Sequence, residues 1–400
     1  MPRRAQVRRP MRPENVHQAR LLKLLRDDGP RSRAELGDAV ALSKTKVALE
    51  LDRLVELGLV VGAGLAESRG GRRSSIVQLA PTLRFLAVDI GATSVDVAVT
   101  DGRLQVLEHL REPMDVRRGP MPVLDLVLDL VGKLRASGAA DDVHGVGVGV
   151  PGPVSFREGV PVVPPIMPGW DHFPVRETIG QALGCPVLVD NDANIMALGE
   201  LHAGTARSVH DFLFVKVGTG IGCGIVVEGS VYRGMSGSAG DIGHMSVEDD
   251  GPVCTCGRTG CLEARFGGAA LARDAETAAR SGRSSLLADR LAEAGALSAA
   301  DVAVAAASGD PVAVDLVREG GQRLGRVLAS LVSFFNPGMV VIGGGVAGLG
   351  HALLAEVRGV VYRRSLPLAT GNLPIVLSEL GADAGIVGGA RLISDHVLSA

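Results

Sequence analysis

The chain has 400 residues, 46% of them hydrophobic and only 3% aromatic, with a formal charge of -3 at neutral pH. That length supports two or three cores built on Val, Leu, Ala and Ile, and no run of about 18 apolar residues is available to span a bilayer. The arginine-rich start is not followed by an apolar segment and so does not read as a secretory leader, while five cysteines in so long a chain point to a reducing cytoplasm rather than a disulfide framework.

The charge is divided unevenly. Residues 1–80 hold 16 Lys and Arg against 9 Asp and Glu, and the remainder holds 25 against 35. A basic head on an acidic body implies that the head alone meets a polyanion. Residues 1–13 form a basic arm with Arg3, Arg4, Arg8, Arg9 and Arg12 and no acid, suited to lie along phosphates or to remain solvated.

From Glu14 the pattern turns helical, with Val16, Leu21, Leu24 and Leu25 on one face up to the stop Asp27-Asp28-Gly29-Pro30. Ser32-Arg33-Ala34-Glu35 fits a capping box and opens a second helix. Ser43 caps a third, whose apolar positions Val47, Leu51, Leu54 and Leu57 alternate with Lys44, Lys46 and Arg53. Two short strands, Leu59-Val60-Val61 and Ser75 to Leu79, flank Ser68-Arg69-Gly70-Gly71-Arg72-Arg73. Residues 14–80 therefore read as a winged helix-turn-helix, with Lys44, Thr45 and Lys46 facing base edges and Arg69, Arg72 and Arg73 at the wing tip on the backbone of operator DNA. A small helical bundle used for dimerisation is the alternative.

The body opens at Phe85. Phe85 to Gly102 and Phe212 to Gly229 align without a gap at an offset of 127 residues, pairing Phe85 with Phe212, Leu86 with Leu213, Val88 with Val215, Gly91 with Gly218, Val99 with Val226 and Gly102 with Gly229. Each copy reads as strand, glycine turn, strand, and a duplicated lobe with such a hairpin at each start suggests a cleft between two turns. Gly91 and Thr93, and Gly218, Thr219 and Gly220, leave backbone N–H groups open to phosphate oxygens. Asp89, in the first copy only, would hold Mg²⁺. Gly343, Gly344 and Gly345 follow the apolar run Val340-Val341-Ile342 and offer a third place for a nucleotide such as ATP. Glycine turns between hydrophobic strands are also often only turns.

Between the copies, the run Val187 to Asp190 ends in Asn191-Asp192-Ala193-Asn194, placing a carboxylate and an amide at a strand terminus, where α/β sites gather. Asp192 is a candidate general base for a hydroxyl attacking a γ-phosphoryl group, with Asn191 as a hydroxyl ligand; an Asx turn opening the helix Ala193 to His202 is the plain alternative. Farther on, within the two dozen residues from Gly240 to Glu263, His244, Cys254, Cys256 and Cys261 offer one imidazole and three thiolates, the donor set of a closed, tetrahedral, structural zinc site. Three buried free cysteines are the competing reading.

The segments Asp89 to Thr93, Gly149 to Ser155, Asp190 to Asn194, Val217 to Gly222, Ala239 to His244 and the Cys254/Cys256/Cys261 loop resemble, in order and spacing, the ROK family of repressors and sugar kinases. With the winged head, the chain is similar to regulators of the xylose- and N-acetylglucosamine-repressor type. The resemblance implies an α/β, actin-like, hexokinase-type body of two lobes, residues 85–192 and 193–400, with the last helix returning to the first lobe. It further implies a sugar held by Asn191, Asp192, Asp241, His244 and Glu263, ATP near the glycine turns, and association as homodimers or homotetramers. Two functions follow: a sugar-responsive DNA-binding regulator, or an ATP-dependent hexose or amino-sugar kinase using Asp192. The chain departs from the kinase pattern at Ala92 and Ser94 in the first loop, at Ile166 before Pro168-Gly169-Trp170 where Asn is common, and at Asp241 where Glu is usual.

Overall fold

The computed structural model describes residues 12–65 and 75–400. The head begins with α1 (Val16–Asp28), capped by the Asn15 side chain, then β1 (Arg31–Ser32), α2 (Arg33–Val40), α3 (Lys44–Glu56), β2 (Val60–Leu65) and β3 (Ser75–Leu79). Ser32 and Glu35 form the reciprocal capping box, and the Ser43 hydroxyl takes the Lys46 N–H, so each helix start is fixed by a side chain that satisfies an otherwise orphaned donor. Two details differ from the sequence reading. Val16 is exposed, because the buried face of α1 runs through Gln18, Leu21, Leu22 and Leu25, with the Gln18 amide donating to Glu50 at 2.8 Å. The small sheet also has a third strand, β1, paired antiparallel with β3.

The body follows with β4 (Arg84–Ile90), β5 (Ser94–Thr100), β6 (Val106–Pro113), α4 (Pro120–Ala136), β7 (Val143–Val150), the small hairpin β8 (Val154–Ser155) and β9 (Val160–Pro161), α5 (Val175–Leu183), β10 (Val187–Asn191) and α6 (Asp192–Ala203). Its second half contains β11 (Phe212–Val217), β12 (Ile221–Val227), β13 (Ser230–Val231), the helices α7 (Leu262–Phe266), α8 (Gly268–Arg280), α9 (Ser285–Ala294), α10 (Ala299–Ala307) and α11 (Pro311–Phe335), then β14 (Met339–Gly343), α12 (Gly350–Arg364), α13 (Pro367–Thr370), β15 (Ile375–Leu377) and α14 (Ala384–Val397).

Two five-stranded sheets result, ordered β10-β7-β4-β5-β6 and β13-β12-β11-β14-β15. In each, a lead hairpin pairs antiparallel, one strand joins the lead strand in parallel and a second joins that strand in parallel. The duplication seen in the hairpins thus extends to whole sheets, β4 corresponding to β11 and α6 to α14. Both faces of each lead strand are covered, which is why Phe85 to Ile90 and Phe212 to Val217 are near-continuous apolar runs rather than alternating ones.

The closing helices of the two halves pack on one another. α14 lies on β4 and β7 of the first sheet, while α6 lies on β11 and β12 of the second. At two points they meet backbone to backbone: a methyl group on Gly388 would fall onto the Ile195 carbonyl, and one on Gly199 onto the Ala384 carbonyl. The head sits on the outer side of α14, where Leu21, Leu25, Leu51 and Leu54 share one buried cluster with Ile386, Ile393 and Val397. Gly388→Ala should therefore cost about 1–3 kcal/mol or more through overpacking against backbone, measured as a lowered denaturation midpoint with unchanged m-value.

Candidate functional site

A cavity of about 110 Å³ lies between the sheets and brings together Asn191, Asp192, Asp241, His244 and Glu263. One wall is the junction of β10 with α6. The Asn191 side chain caps α6, its Oδ1 accepting from Ala193 N at 2.9 Å and Asn194 N at 3.3 Å, while its Nδ2 donates to the Gly152 carbonyl at 2.9 Å. Asn191 thus fastens the Pro151-Gly152-Pro153 turn to the helix start. Asp192 is buried, and its Oδ1 accepts the Ala193 N–H at 2.7 Å. Ile166 also faces the cavity.

The opposite wall is the segment 237–244 with the first turn of α7. Glu263 Oε2 accepts the Ile221 N–H at 2.9 Å; burial pushes the Glu263 carboxyl above its usual range, partly offset by that hydrogen bond. A Cβ at Gly220 would collide with this carboxylate, so Gly220 is needed to seat Glu263, and with Thr219 it lines the same cavity as the sugar-site candidates. His244 joins the wall to the cysteine loop. Its Nδ1 lies 3.5 Å from Cys254 Sγ, and its Nε2 faces Asp241 Oδ1 at 3.9 Å.

His244, Cys254, Cys256 and Cys261 put one ligand atom each within 4.8 Å of one another, with Cys256 Sγ and Cys261 Sγ 3.7 Å apart. Thiolates about 2.3 Å from a tetrahedral ion lie at about that mutual separation, so this donor set fits zinc, with no ligand position left for chemistry. Bound there, the ion would hold the His244 ring by Nδ1 and leave Nε2 to the cavity.

The nucleotide candidates are less uniform. Gly91 closes its turn with its N–H on the Ser94 carbonyl at 2.8 Å, and Thr93 is exposed beside it. A Cβ at Gly343 would meet the Phe214 ring at 2.5 Å, and Gly344 has φ +88° beneath the Val217 carbonyl, so packing accounts for both; Gly345 alone faces open space. Asp89 abuts Gly385 in the first turn of α14. Burial pushes its carboxyl up to about 7 against the pull of the Lys216 ammonium. That lysine was not singled out from the sequence. Its Nζ forms an ion pair with Asp192 Oδ2, and although desolvation works against its charge, the Asp192 and Asp89 carboxylates outweigh it and raise the group above its ordinary value. An ammonium so placed does not fit beside a Mg²⁺ ion on Asp89.

Two further residues escaped sequence reasoning. Asp190, buried, takes Arg233 at 2.8 Å and the Asn194 amide at 2.9 Å, and the Arg233 guanidinium lies 4.0 Å over the Phe156 ring. This clamp ties β10 to the chain leading to Asp241. In the head, Lys44 and Thr45 stand exposed at the start of α3, and Lys46, also exposed, is paired with Glu50 at 2.7 Å. Arg69, Arg72, Arg73 and the arm up to residue 11 lie outside the described residues.

The ROK family pattern matches residues 85–396. The chain is 29% identical over 392 residues to the xylose repressor of Caldicellulosiruptor bescii, covering 96% of this chain and 97% of that protein. It is 33% identical over 316 residues to the glucokinase of Halalkalibacterium halodurans, covering 78% and 95%. Among solved structures it resembles a ROK family transcriptional regulator, a homolog of the E. coli MLC protein, with a TM-score of 0.80 at 26% identity over 96% and 97% of the two chains. A ROK family glucokinase from Streptomyces griseus in complex with glucose and AMPPNP matches with a TM-score of 0.68 at 32% identity, covering 77% of this chain and 98% of that one. These neighbours bear out the actin-like, hexokinase-type α/β class.

Metal analysis of the purified protein should find about one zinc per chain. Cys256→Ser should lose it and lower the thermal midpoint, whereas retention of full zinc would remove the four residues as its ligands.

Proposed function

Because the chain belongs to the ROK family, we propose that it is a sugar-responsive, DNA-binding repressor of carbohydrate-metabolism genes, working in the cytoplasm with its kinase-like body as the effector sensor. The carrying observation is that likeness to the xylose repressor runs through the head as well as the body, whereas the glucokinase covers little more than the body. Among the described residues no helix is long and apolar enough to cross a membrane.

The geometry supports a route from pocket to head. α6 carries Asn191 and Asp192 at one end and His202 in its last turn, about 15 Å from Asp192 at 1.5 Å per residue. His202 Nδ1 lies 3.0 Å from Arg391 Nη1 on α14, and the same guanidinium nitrogen reaches Asp27 of α1 at 3.4 Å. Burial and the neighbouring Arg391 and Arg26 lower His202 to about 4, so the neutral ring accepts from Arg391. Arg26, fully buried, completes the junction with Asp27 and with Asp395 at 2.8 Å.

Sugar bound between Asp192 on one wall and Asp241, His244 and Glu263 on the other would draw the halves together. That motion shifts α6 against α14 and turns the head. In an assembly of two or more chains, a change in head separation alters the fit to two half-sites. The exposed start of α3, with Lys44 and Thr45, supports its placement in a major groove. Zinc at His244 would keep one wall rigid during closure.

In gel-shift titrations, the protein should bind DNA from its own upstream region, and one sugar of a panel should change the affinity by about 5–150-fold. Arg391→Ala should keep sugar binding but reduce that change to about twofold, because the guanidinium bridging His202 and Asp27 is removed. Failure to shift any neighbouring promoter would sink the regulator reading, as would sugar-dependent ADP release abolished by Asp192→Asn in a protein indifferent to DNA.

A further inference from the structure

Asp89 and Lys216 occupy the same position of the duplicated hairpin, one in each copy. Asp89 lies opposite Asp96 on β5, and Lys216 opposite Gly222 on β12. The duplication therefore brings an acid and a base within electrostatic reach of each other at the ends of the two lead strands, with Lys216 lining the cavity. The lysine stem runs along the second glycine turn, its Cε 3.3 Å from where a Cβ on Gly218 would stand. Its ammonium then ends on Asp192 Oδ2, while Asp192 Oδ1 holds the Ala193 N–H. Both oxygens of the candidate base are engaged before any ligand arrives.

Phoshoryl transfer to a sugar needs two free carboxylates in such a cleft. One accepts the proton of the attacking hydroxyl, and the other holds the metal that neutralises the phosphates. Lys216 engages the first directly and opposes a second cation at the other, since its ammonium already acts on the Asp89 carboxyl and like charges repel strongly in a partly desolvated cleft. A lysine beside a glycine turn can instead serve as a phosphate ligand, but such a lysine directs its charge at the turn, and this one directs it at the carboxylate on the far wall.

Taking the body as a sugar sensor, we propose that Lys216 is a specificity-determining residue: a fixed internal cation that stands in for the metal, keeps Asp192 oriented as an acceptor for a sugar hydroxyl, and denies the cleft a productive Mg²⁺–nucleotide complex. An ammonium and a carboxylate side by side also complement a single hydroxyl, which accepts from one and donates to the other. The sensor would thus recognise a neutral sugar without consuming it.

The test uses the full chain as wild type, Lys216→Gln and Lys216→Met. Mn²⁺ binding is followed by the relaxation of solvent protons, ATP affinity is measured with and without Mg²⁺, and ADP release is followed over a sugar panel. Wild type should show no Mn²⁺ site in the cleft, an ATP affinity changed less than about twofold by Mg²⁺, and no sugar-dependent ADP release. The neutral variants should gain a Mn²⁺ site that Asp89→Asn removes, and a Mg²⁺-dependent tightening of ATP by about tenfold. Folded variants that gain neither overturn the proposal, as does wild-type protein with a Mn²⁺ site lost in Asp89→Asn. Should neither variant fold, judged by zinc content and thermal unfolding, the wild-type Mn²⁺ and ATP titrations decide alone. None of these readouts involves DNA, so a regulator reading that failed in the gel shift would leave them standing, and the reverse.

Discussion

The crossing of α6 with α14 is the constraint on which the arrangement of the molecule depends. Each half of the duplicated body ends in a helix that leaves its own sheet and packs on the other, α6 on β11 and β12, α14 on β4 and β7. At the crossing the helices meet backbone to backbone through Gly199 and Gly388. With backbone in contact at both glycines, a shift of one helix is passed to the other, because close-packed interiors have two discrete arrangements more readily than a continuum of them. The same crossing holds the ends of both lead strands around one cleft.

From this geometry comes the electrostatic character of the cleft. The N-terminus of α6 borders it and that of α14 meets Asp89, each carrying a partial positive charge. α6 presents Asp192 in its first turn, and α14 receives Asp89 against Gly385. Asp241 and Glu263 add carboxylates from the opposite wall, and Lys216 supplies the compensating cation. Carboxylates are acceptors only, so the cleft is provisioned for the hydroxyl donors of a sugar. Asn191 and Asp190 spend their polar atoms on Gly152, Asn194 and Arg233, and that expenditure gives the acceptors their fixed directions.

Features set by near neighbours in the chain were legible in the amino-acid sequence. Ser32 with Glu35 and Ser43 with Lys46 act over three residues, and the cysteines around Gly257 lie at most seven apart, where spacing and chemistry coincide. The repeat was legible because both lead strands are buried on both faces and so kept the same apolar residues. Features that depend on partners far along the chain were hidden. Lys216 was passed over, since nothing in its surroundings shows that Asp192, on a different half, accepts it. Asp190 and Arg233 stand apart by 43 residues, and Gln18 reads as a solvent residue until Glu50 is brought beneath it. Val16 matched the apolar period of α1, but the face was decided by α3. Gly343 looked like part of a phosphate cradle, yet the Phe214 ring explains it without a ligand.

How an effector could act on the head follows from the strength of the junction. Arg26 is fully buried and paired with Asp27 and Asp395, and the head shares its apolar cluster with Ile386, Ile393 and Val397 of α14. Exposing a buried ion pair of this kind by removing one partner costs about 3–5 kcal/mol, and each fully buried leucine adds about 1.5–3 kcal/mol. Couplings between ligand sites are about 1–3 kcal/mol. Sugar binding therefore lacks the free energy to lift the head from α14, and a response by undocking is ruled out on magnitude. What remains within reach is rotation of α14 and the head as one body about the α6 crossing, which leaves the junction intact and changes only where α3 points.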